Sequence, residues 1–171
     1  GNIYASGEAN AVVLMELAKA ACAKYGVEFV PSAISNSSEV KMAAQSIIDR
    51  VDAIYIATDN AVISALASVD DVTTKAGKVL FSADPSGVEG LNAMIAWGFD
   101  YYSIGVETGK VVEKILKGEK AGSIGTVHIT DPTKFELLFN LDTAAKLGYT
   151  IPQSLQDAAV VLIKDGKKIT K

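Results

Sequence analysis

The sequence predicts an α/β fold built on a doubly wound parallel sheet. Across residues 1–100, short apolar segments alternate with polar loops and amphipathic segments, which is typical of parallel strands joined by helices. The apolar segments are nearly continuous, as expected for strands that are covered on both faces. The 171 residues are 49% hydrophobic and 21% charged, which is enough apolar material for a buried core.

Five strands and four helices are predicted in this first part. The strands are expected at residues 3–4, 27–33, 53–57, 79–82 and 93–97, and the helices at residues 10–25, 38–49, 60–75 and 86–91. The second helix has the clearest start. Asn36, Ser37 and Ser38 offer capping oxygens, and Glu39 places a negative charge in the first turn.

After Gly98 the pattern changes to a long amphipathic helix, predicted over residues 102–117 and ending at Gly118. Its apolar face consists of Ile104, Val111, Val112, Ile115 and Leu116. Beyond it, strands are predicted at residues 126–130 and 136–141, a short helix at 143–147 and a helical turn starting at Pro152. The last expected feature is a hairpin of residues 159–163 and 168–170 around Asp165-Gly166.

Composition argues against several classes of function. The 16 basic and 20 acidic residues give a net charge of −4, and Arg50 is the sole arginine, so nucleic acid is not expected as a partner. One cysteine, Cys22, and one histidine, His128, make neither an internal disulfide nor a zinc site. No nucleophile elbow is present, and the loop after the first strand has one glycine where a dinucleotide fingerprint needs three. We therefore expect no catalytic residues, metal site or cofactor.

Polar side chains follow the predicted strands, where ligands bind in open α/β sheets. The candidate ligand-binding residues are Ser6, Gly7, Glu8, Asn10, Thr58, Asp59, Asn60, Ser82 and Asp84. Helix capping alone would also select such residue types at these places. The first four loops carry three acids and no lysine or arginine, which suits a ligand ammonium group. Backbone N–H groups at helix starts and the hydroxyls of Ser6, Thr58 or Ser82 suit a carboxylate, so the pattern indicates a zwitterionic amino acid. A divalent cation is a weaker alternative, because no dense run of acidic ligands occurs.

Three segments resemble the ABC-transporter substrate-binding protein family of the tryptophan/tyrosine-uptake type. They are Ile3-Tyr4-Ala5-Ser6-Gly7-Glu8-Ala9-Asn10, Val51-Asp52-Ala53-Ile54-Tyr55-Ile56-Ala57-Thr58-Asp59-Asn60 and Phe99-Asp100-Tyr101-Tyr102-Ser103-Ile104-Gly105. The resemblance covers essentially the whole chain. It implies a two-lobed extracytoplasmic receptor of the type I periplasmic-binding-protein fold that closes on a small ligand and docks on an ABC permease. An aromatic amino acid is the ligand type that the family favours.

The resemblance also implies a domain organisation, in which the chain matches the C-terminal half of the family. Residues 1–100 would form the second, ligand-binding lobe, and residues 101–130 would be a crossover helix and strand. That crossover is expected to expose apolar surface, which the first lobe or a second copy would cover. Residues 131–171 would return to the second lobe and end in the hairpin. A signal peptide would lie outside this chain.

Within the resemblance, residues 6–10 and Thr58-Asp59-Asn60 match ligand-facing motifs, and Asp84 lies in a loop that is usually acidic. Residues 86–92 depart from the family's run, so the contact there differs. A ligand-sensing domain of a transcriptional or signalling regulator is the alternative function. It shares the fold and would be distinguished by a DNA-binding or kinase module upstream of Gly1.

Overall fold

A computed structural model describes residues 1–171 apart from the side chain of residue 132. The strands are β1 Asn2–Ala5, β2 Pro31–Ile34, β3 Ala53–Ile56, β4 Val79–Ser82, β5 Ile95–Phe99, β6 Phe135–Asn140, β7 Val161–Lys164 and β8 Lys167–Thr170. The helices are α1 Ala9–Lys24, α2 Val40–Ile47, α3 Asn60–Ile63, α4 Leu66–Ala76, α5 Ser86–Glu89, α6 Tyr101–Leu116, α7 Ala121–Ile124, α8 Leu141–Lys146 and α9 Gln153–Ala158. Single 3₁₀ turns lie at Ser37–Glu39, Ile48–Arg50 and Pro132–Lys134.

The strands form one sheet in the order β2-β1-β3-β4-β5-β6-β7-β8. The first five strands run parallel, with helices in their connections, so the predicted α/β fold with a mostly parallel sheet is confirmed. Strand β6 pairs antiparallel with β5, β7 runs parallel to β6, and β8 closes a hairpin with β7. The C-terminal part of the chain therefore extends the same sheet.

Two apolar clusters hold this sheet to its helices. The larger cluster joins β1, β3 and β4 to α2 and α4, and its largest fully buried side chains are Ile3, Ile34, Val40, Ile47, Ile54, Ile56, Val62, Val69, Leu80, Val88 and Leu138. The smaller cluster packs α8 and the segment before β7 against the other part of the sheet through Val79, Met94, Phe139, Ala144, Ile151, Ala159 and Leu162. Burying these side chains stabilises the fold by about 1.5–3 kcal/mol for each large residue.

Three predicted elements differ from the structure. The strand expected at residues 27–33 is wrong over its first four residues, because the strand begins at Pro31; lacking an N–H, proline is tolerated at the start of this edge strand. The helix expected at residues 60–75 breaks at Ala65, whose backbone is not helical (φ −118°, ψ 19°). The strand expected at residues 126–130 is wrong: these residues form no strand in the described chain, and β6 pairs with β5 and β7.

The long helix predicted after Gly98 is confirmed as α6. Asp100 caps it by accepting the N–H groups of Tyr102 and Ser103, and Gly118, with φ of +96°, follows its end. None of its residues is buried, and the exposed large side chains are Tyr101, Tyr102, Val106, Val112, Ile115 and Leu116. The helix therefore presents apolar surface, as expected from the sequence.

The C-terminal hairpin is also confirmed. Asp165 and Gly166 join β7 to β8, and both have positive φ, at 53° and 69°, which matches the right-handed twist of the paired strands. The Asp142 carboxylate accepts the N–H groups of Asp165 and Gly166 at 2.9 and 2.8 Å and ties the turn to α8. No helix within the described residues has the length and apolar character needed to span a bilayer.

Candidate ligand site at the carboxyl edge of the sheet

Asp59 joins the first and third loops at the carboxyl edge of the sheet. Its side chain is 1% exposed. Oδ2 accepts the N–H of Ala5 at 2.6 Å, and Oδ1 accepts the N–H of Val62 at 3.1 Å. One carboxylate therefore holds the end of β1 and caps α3. Because Asp59 is buried and both of its oxygens accept bonds inside the chain, it positions the two loops, and the ammonium contact expected from the sequence stays a prediction.

Two exposed side-chain bonds connect the same pair of loops. The Nδ2 of Asn60 donates to Glu8 Oε2 at 3.4 Å, and the Nδ2 of Asn10 donates to the carbonyl of Thr58 at 3.3 Å. Both distances are long for such bonds, so these side chains stay available to other partners. The structure thus brings together Glu8, Asn10, Thr58 and Asn60, which the sequence analysis had selected from separate loops.

The N-terminus of α1 lies next to these side chains. Glu8 occupies the N-cap position, yet its carboxylate makes no capping bond. By contrast, Asp59, Asp84 and Asp100 accept first-turn N–H groups of α3, α5 and α6. The first-turn N–H groups of this 16-residue helix therefore lack a side-chain cap, and the positive end of its dipole favours an anion.

Ser6 and Gly7 lead into this helix and are both exposed. The Ser6 N–H and hydroxyl both donate to the carbonyl of Ile34 in β2, at 3.0 and 3.2 Å. The hydroxyl oxygen of Ser6 keeps its acceptor capacity. These bonds tie the first loop to the end of β2, just as Asp59 ties it to the third loop.

Asp84 is the half-buried acid of the fourth loop. Its Oδ1 accepts the N–H of Ser86 at 2.9 Å, and its Oδ2 accepts the hydroxyl of Tyr101 at 2.9 Å. The N–H of Asp84 donates to Ser82 Oγ at 3.0 Å. Ser82 is 0% exposed, so its hydroxyl holds the loop from the buried side. The ligand contact predicted for Ser82 does not fit this position.

Gly98 in β5 allows the fourth loop to lie directly against that strand. A Cβ at this position would lie 2.3 Å from the carbonyl oxygen of Ala83 and 2.9 Å from Cδ of Pro85. Real Cβ atoms do not approach backbone so closely, so the loop can rest on β5 only where a glycine stands. Gly98 thereby places Asp84 beside the start of α6.

Two ionisable groups at this edge have shifted pKa values. The pKa of Asp100 lies below its usual value, chiefly because the Ser103 hydroxyl and the N–H of Tyr102 bond its ionised form. Burial, together with the hydrogen bond and charge of Asp84, raises the pKa of Tyr101, so this phenol stays protonated and donates a hydrogen bond.

Among the described residues no cluster of three or more histidine, cysteine, aspartate or glutamate side chains is arranged to hold a metal ion.

A cavity lies elsewhere, at the amino end of β3. It measures about 660 Å³ and is mainly apolar, between α1 and the sheet, with Leu14, Leu17, Tyr55 and Phe81 among its walls. Glu28, Arg50 and Asp52 also lie on its walls. The polar residues of the carboxyl edge form an open surface, so the candidate site and the cavity are different places.

Tyr101 lies in the third segment of the family resemblance, and the sequence places it in the first turn of α6 because Asp100 is a typical N-cap. The contribution of Gly98 has no signal in the sequence, since it depends on how closely the chain passes itself in space.

Comparison with known proteins identifies the family of this chain. A family model described as ABC transporter substrate binding protein matches residues 1–162. The chain belongs to this family. A tyrosine-binding protein from Clostridioides difficile is 29% identical over 147 residues, which are 86% of this chain and 41% of that protein. The chain thus spans less than half the length of this curated relative.

Solved structures of related proteins share the fold. A conserved domain protein from Vibrio cholerae is 38% identical and superposes with a TM-score of 0.86, over 95% of this chain and 53% of the other. An ABC domain from Streptococcus pneumoniae in complex with L-Trp is 26% identical, with a TM-score of 0.86 over 95% and 55% of the two chains. A ligand-free, open substrate-binding protein from Clostridium difficile with adhesive properties, also 26% identical, gives 0.69 over 96% and 53%.

Proposed function

We propose that the chain forms the ligand-binding lobe of an extracytoplasmic solute-binding protein of an ABC importer, and that its ligand is an aromatic amino acid. One observation carries the proposal. The carboxyl edge combines a helix N-terminus without a side-chain cap with the carboxylates of Glu8 and Asp84, which together suit the two charges of a zwitterion. Family membership favours transport over the sensing domain of a regulator, and the related tyrosine-binding and L-Trp-bound proteins support an aromatic side chain.

The ligand carboxylate would meet the first turn of α1. The N–H groups of Asn10 and Ala11 belong to that turn, where a bound anion also gains from the helix dipole. Gly7 is exposed, and a Cβ there would meet nothing within 4 Å, so the loop leaves room for the ligand. Thr58, half-buried in the third loop, offers a hydroxyl.

The ligand ammonium would meet Glu8 or Asp84. Both are partly accessible and acidic, and Glu8 has only the long bond to Asn60 as a competitor. Asp59 and Ser82 support this site from within the sheet edge, because both are buried and bonded inside the chain.

A second body would complete the site. The carboxyl edge is open, and α6, which leaves it at Asp100, carries exposed apolar side chains along residues 101–116. We assign residues 101–130 to a crossover that packs on another lobe, or on a second copy of the chain. Closure of two lobes over the ligand would then be the state that an ABC permease recognises.

Titration followed by ¹H–¹⁵N NMR tests the proposal. L-tryptophan or L-tyrosine should shift the amides of residues 7–11 and 84–86 and leave those around Leu17 and Tyr55 unchanged. Tryptamine, which lacks the carboxylate, and indole-3-propionate, which lacks the ammonium group, should bind more weakly. Asp84→Asn should weaken L-tryptophan binding, with exposed Asp49→Asn as the matched control. Shifts confined to the cavity beside α1, or no shifts with any amino acid, would contradict the proposal.

A further inference from the structure

The first residue of α6 contacts the ligand edge through its side chain. Tyr101 is the first residue of the helix, and its hydroxyl donates to Asp84 Oδ2 at 2.9 Å. The backbone at this point is held by the bond from the N–H of Asp100 to the carbonyl of Lys134, at 3.0 Å. The helix follows β5 directly through Asp100 and none of its residues is buried, so these polar contacts add to the chain connection in holding its first turn.

The same bond fixes the orientation of the Asp84 carboxylate. Its other oxygen is held by the N–H of Ser86, and its own N–H is held by the buried Ser82 hydroxyl. With both oxygens restrained, the carboxylate has one orientation in place of several rotamers. A ligand ammonium that meets a restrained carboxylate avoids the cost of ordering it on binding.

We propose that Tyr101 is a positioning residue for the ligand ammonium, acting through Asp84, and that it links this contact to the start of the crossover helix. The proposal rests on the proposed function of the carboxyl edge. Tyr101 itself need not touch the ligand. Its phenol supplies the second restraint on Asp84, and any rotation of α6 away from the sheet would withdraw that restraint.

The neighbouring tyrosine provides a matched control. Tyr102 is 81% exposed, and the described contact it makes is through its backbone N–H, which Asp100 accepts. Tyr101→Phe removes one hydroxyl and keeps the ring, and Tyr102→Phe does the same one position along the helix. Both variants should fold like the original chain.

The affinity of the chain for two probes separates positioning from structural damage. With Tyr101→Phe, L-tryptophan should bind about five- to tenfold more weakly, whereas indole-3-propionate, which has no ammonium group, should change by less than about twofold. Tyr102→Phe should leave both affinities unchanged. An equal change for both probes, or no difference between the two variants, would overturn the proposal.

A measurement without ligand makes failure of this proposal distinguishable from failure of the proposed function. The Tyr101 phenol can be titrated in a sample of the chain labelled at the Cζ atom of the tyrosine rings. Asp84→Asn should lower the pKa of this phenol, because the substitution removes the carboxylate charge that raises it. An unchanged Tyr101 pKa would show that the bond is absent and overturn the proposal. If the original chain binds neither probe, the proposed function fails, and the ligand role of Tyr101 fails with it even where the pKa falls.

Discussion

Asp59 accepts the backbone N–H of Ala5 at 2.6 Å across 54 positions of sequence and, through its other oxygen, caps α3 at Val62. Ala5 ends β1 and Asp59 follows β3, so one buried side chain fixes the positions of the two neighbouring loops relative to each other. Glu8 and Asn60, which also face each other across these loops, depend on that setting. The candidate site thus rests on a side chain that is itself buried.

Asp59→Asn should destabilise the chain by about 2–3 kcal/mol. An amide has one acceptor oxygen, so its NH₂ group must face one of the two N–H donors and leave it unsatisfied in a buried position. Urea unfolding followed by circular dichroism measures the loss. Asp49→Asn, on an exposed aspartate, should change the free energy of unfolding by less than about 0.5 kcal/mol. Equal effects for the two variants would refute the bridging role.

Gly98→Ala should displace the fourth loop and cost about 1–3 kcal/mol of stability. The added methyl would lie 2.3 Å from the Ala83 carbonyl oxygen, which is backbone and cannot rotate away. Asp84 should move with the loop, so L-tryptophan binding should also weaken. Gly105→Ala in α6 is the control, because a Cβ there meets nothing within 4 Å and alanine favours a helix. Thermal unfolding of both variants checks the prediction, and an unchanged Tm for Gly98→Ala would contradict it.

The fold was largely predictable because its signals are local. The apolar runs of β3 and β4, the cap of α6 at Asp100 and the Asp165-Gly166 turn can each be recognised within a few residues. The pairing of strands, by contrast, depends on residues that are far apart in the sequence. Residues 126–130 have strand-like sequence, but a strand also needs a neighbour to pair with, and nothing in their own sequence shows whether the fold brings one to them.

Which loops come together was predictable, whereas the role of each side chain in them was less so. Loops after parallel strands meet at one edge, which correctly groups Glu8, Asn10, Thr58 and Asn60. An aspartate after a strand can face a ligand or cap a helix, and its residue type is the same in both cases. The choice for Asp59 follows from the position of the Ala5 N–H, which only the folded chain supplies.

The turn between β7 and β8 should loosen in acid through Asp142. Bonds from the N–H groups of Gly166 and Asp165 lower the pKa of this carboxyl below its ordinary 3.8. Because the folded pKa lies below the unfolded one, the stabilisation is complete above about pH 3.8 and is lost as the pH falls through the folded pKa. Amide exchange at Gly166 should therefore gain protection from Asp142 near neutral pH and lose it in acid.

Comparison with Asp142→Asn isolates this group from the other acids. The variant should show weaker protection at Gly166 near neutral pH and little further change on acidification, since an amide does not titrate. If Gly166 loses protection with the same pH profile in both proteins, another carboxyl group controls the turn.

Helix α6 should exchange its amide protons far faster than α4 in the isolated chain. The two helices have 16 and 11 residues, but α4 buries Leu66, Val69 and Val72, whereas no residue of α6 is buried. An isolated helix of this length is marginal in water, so α6 should open locally without unfolding the sheet. Hydrogen–deuterium exchange with mass spectrometry should show α6 peptides within about tenfold of unstructured rates, and α4 peptides slower by a factor of about a thousand or more. Equal protection of the two helices in dilute solution would mean that α6 is already covered within one chain, and the crossover role proposed for residues 101–130 would then be wrong.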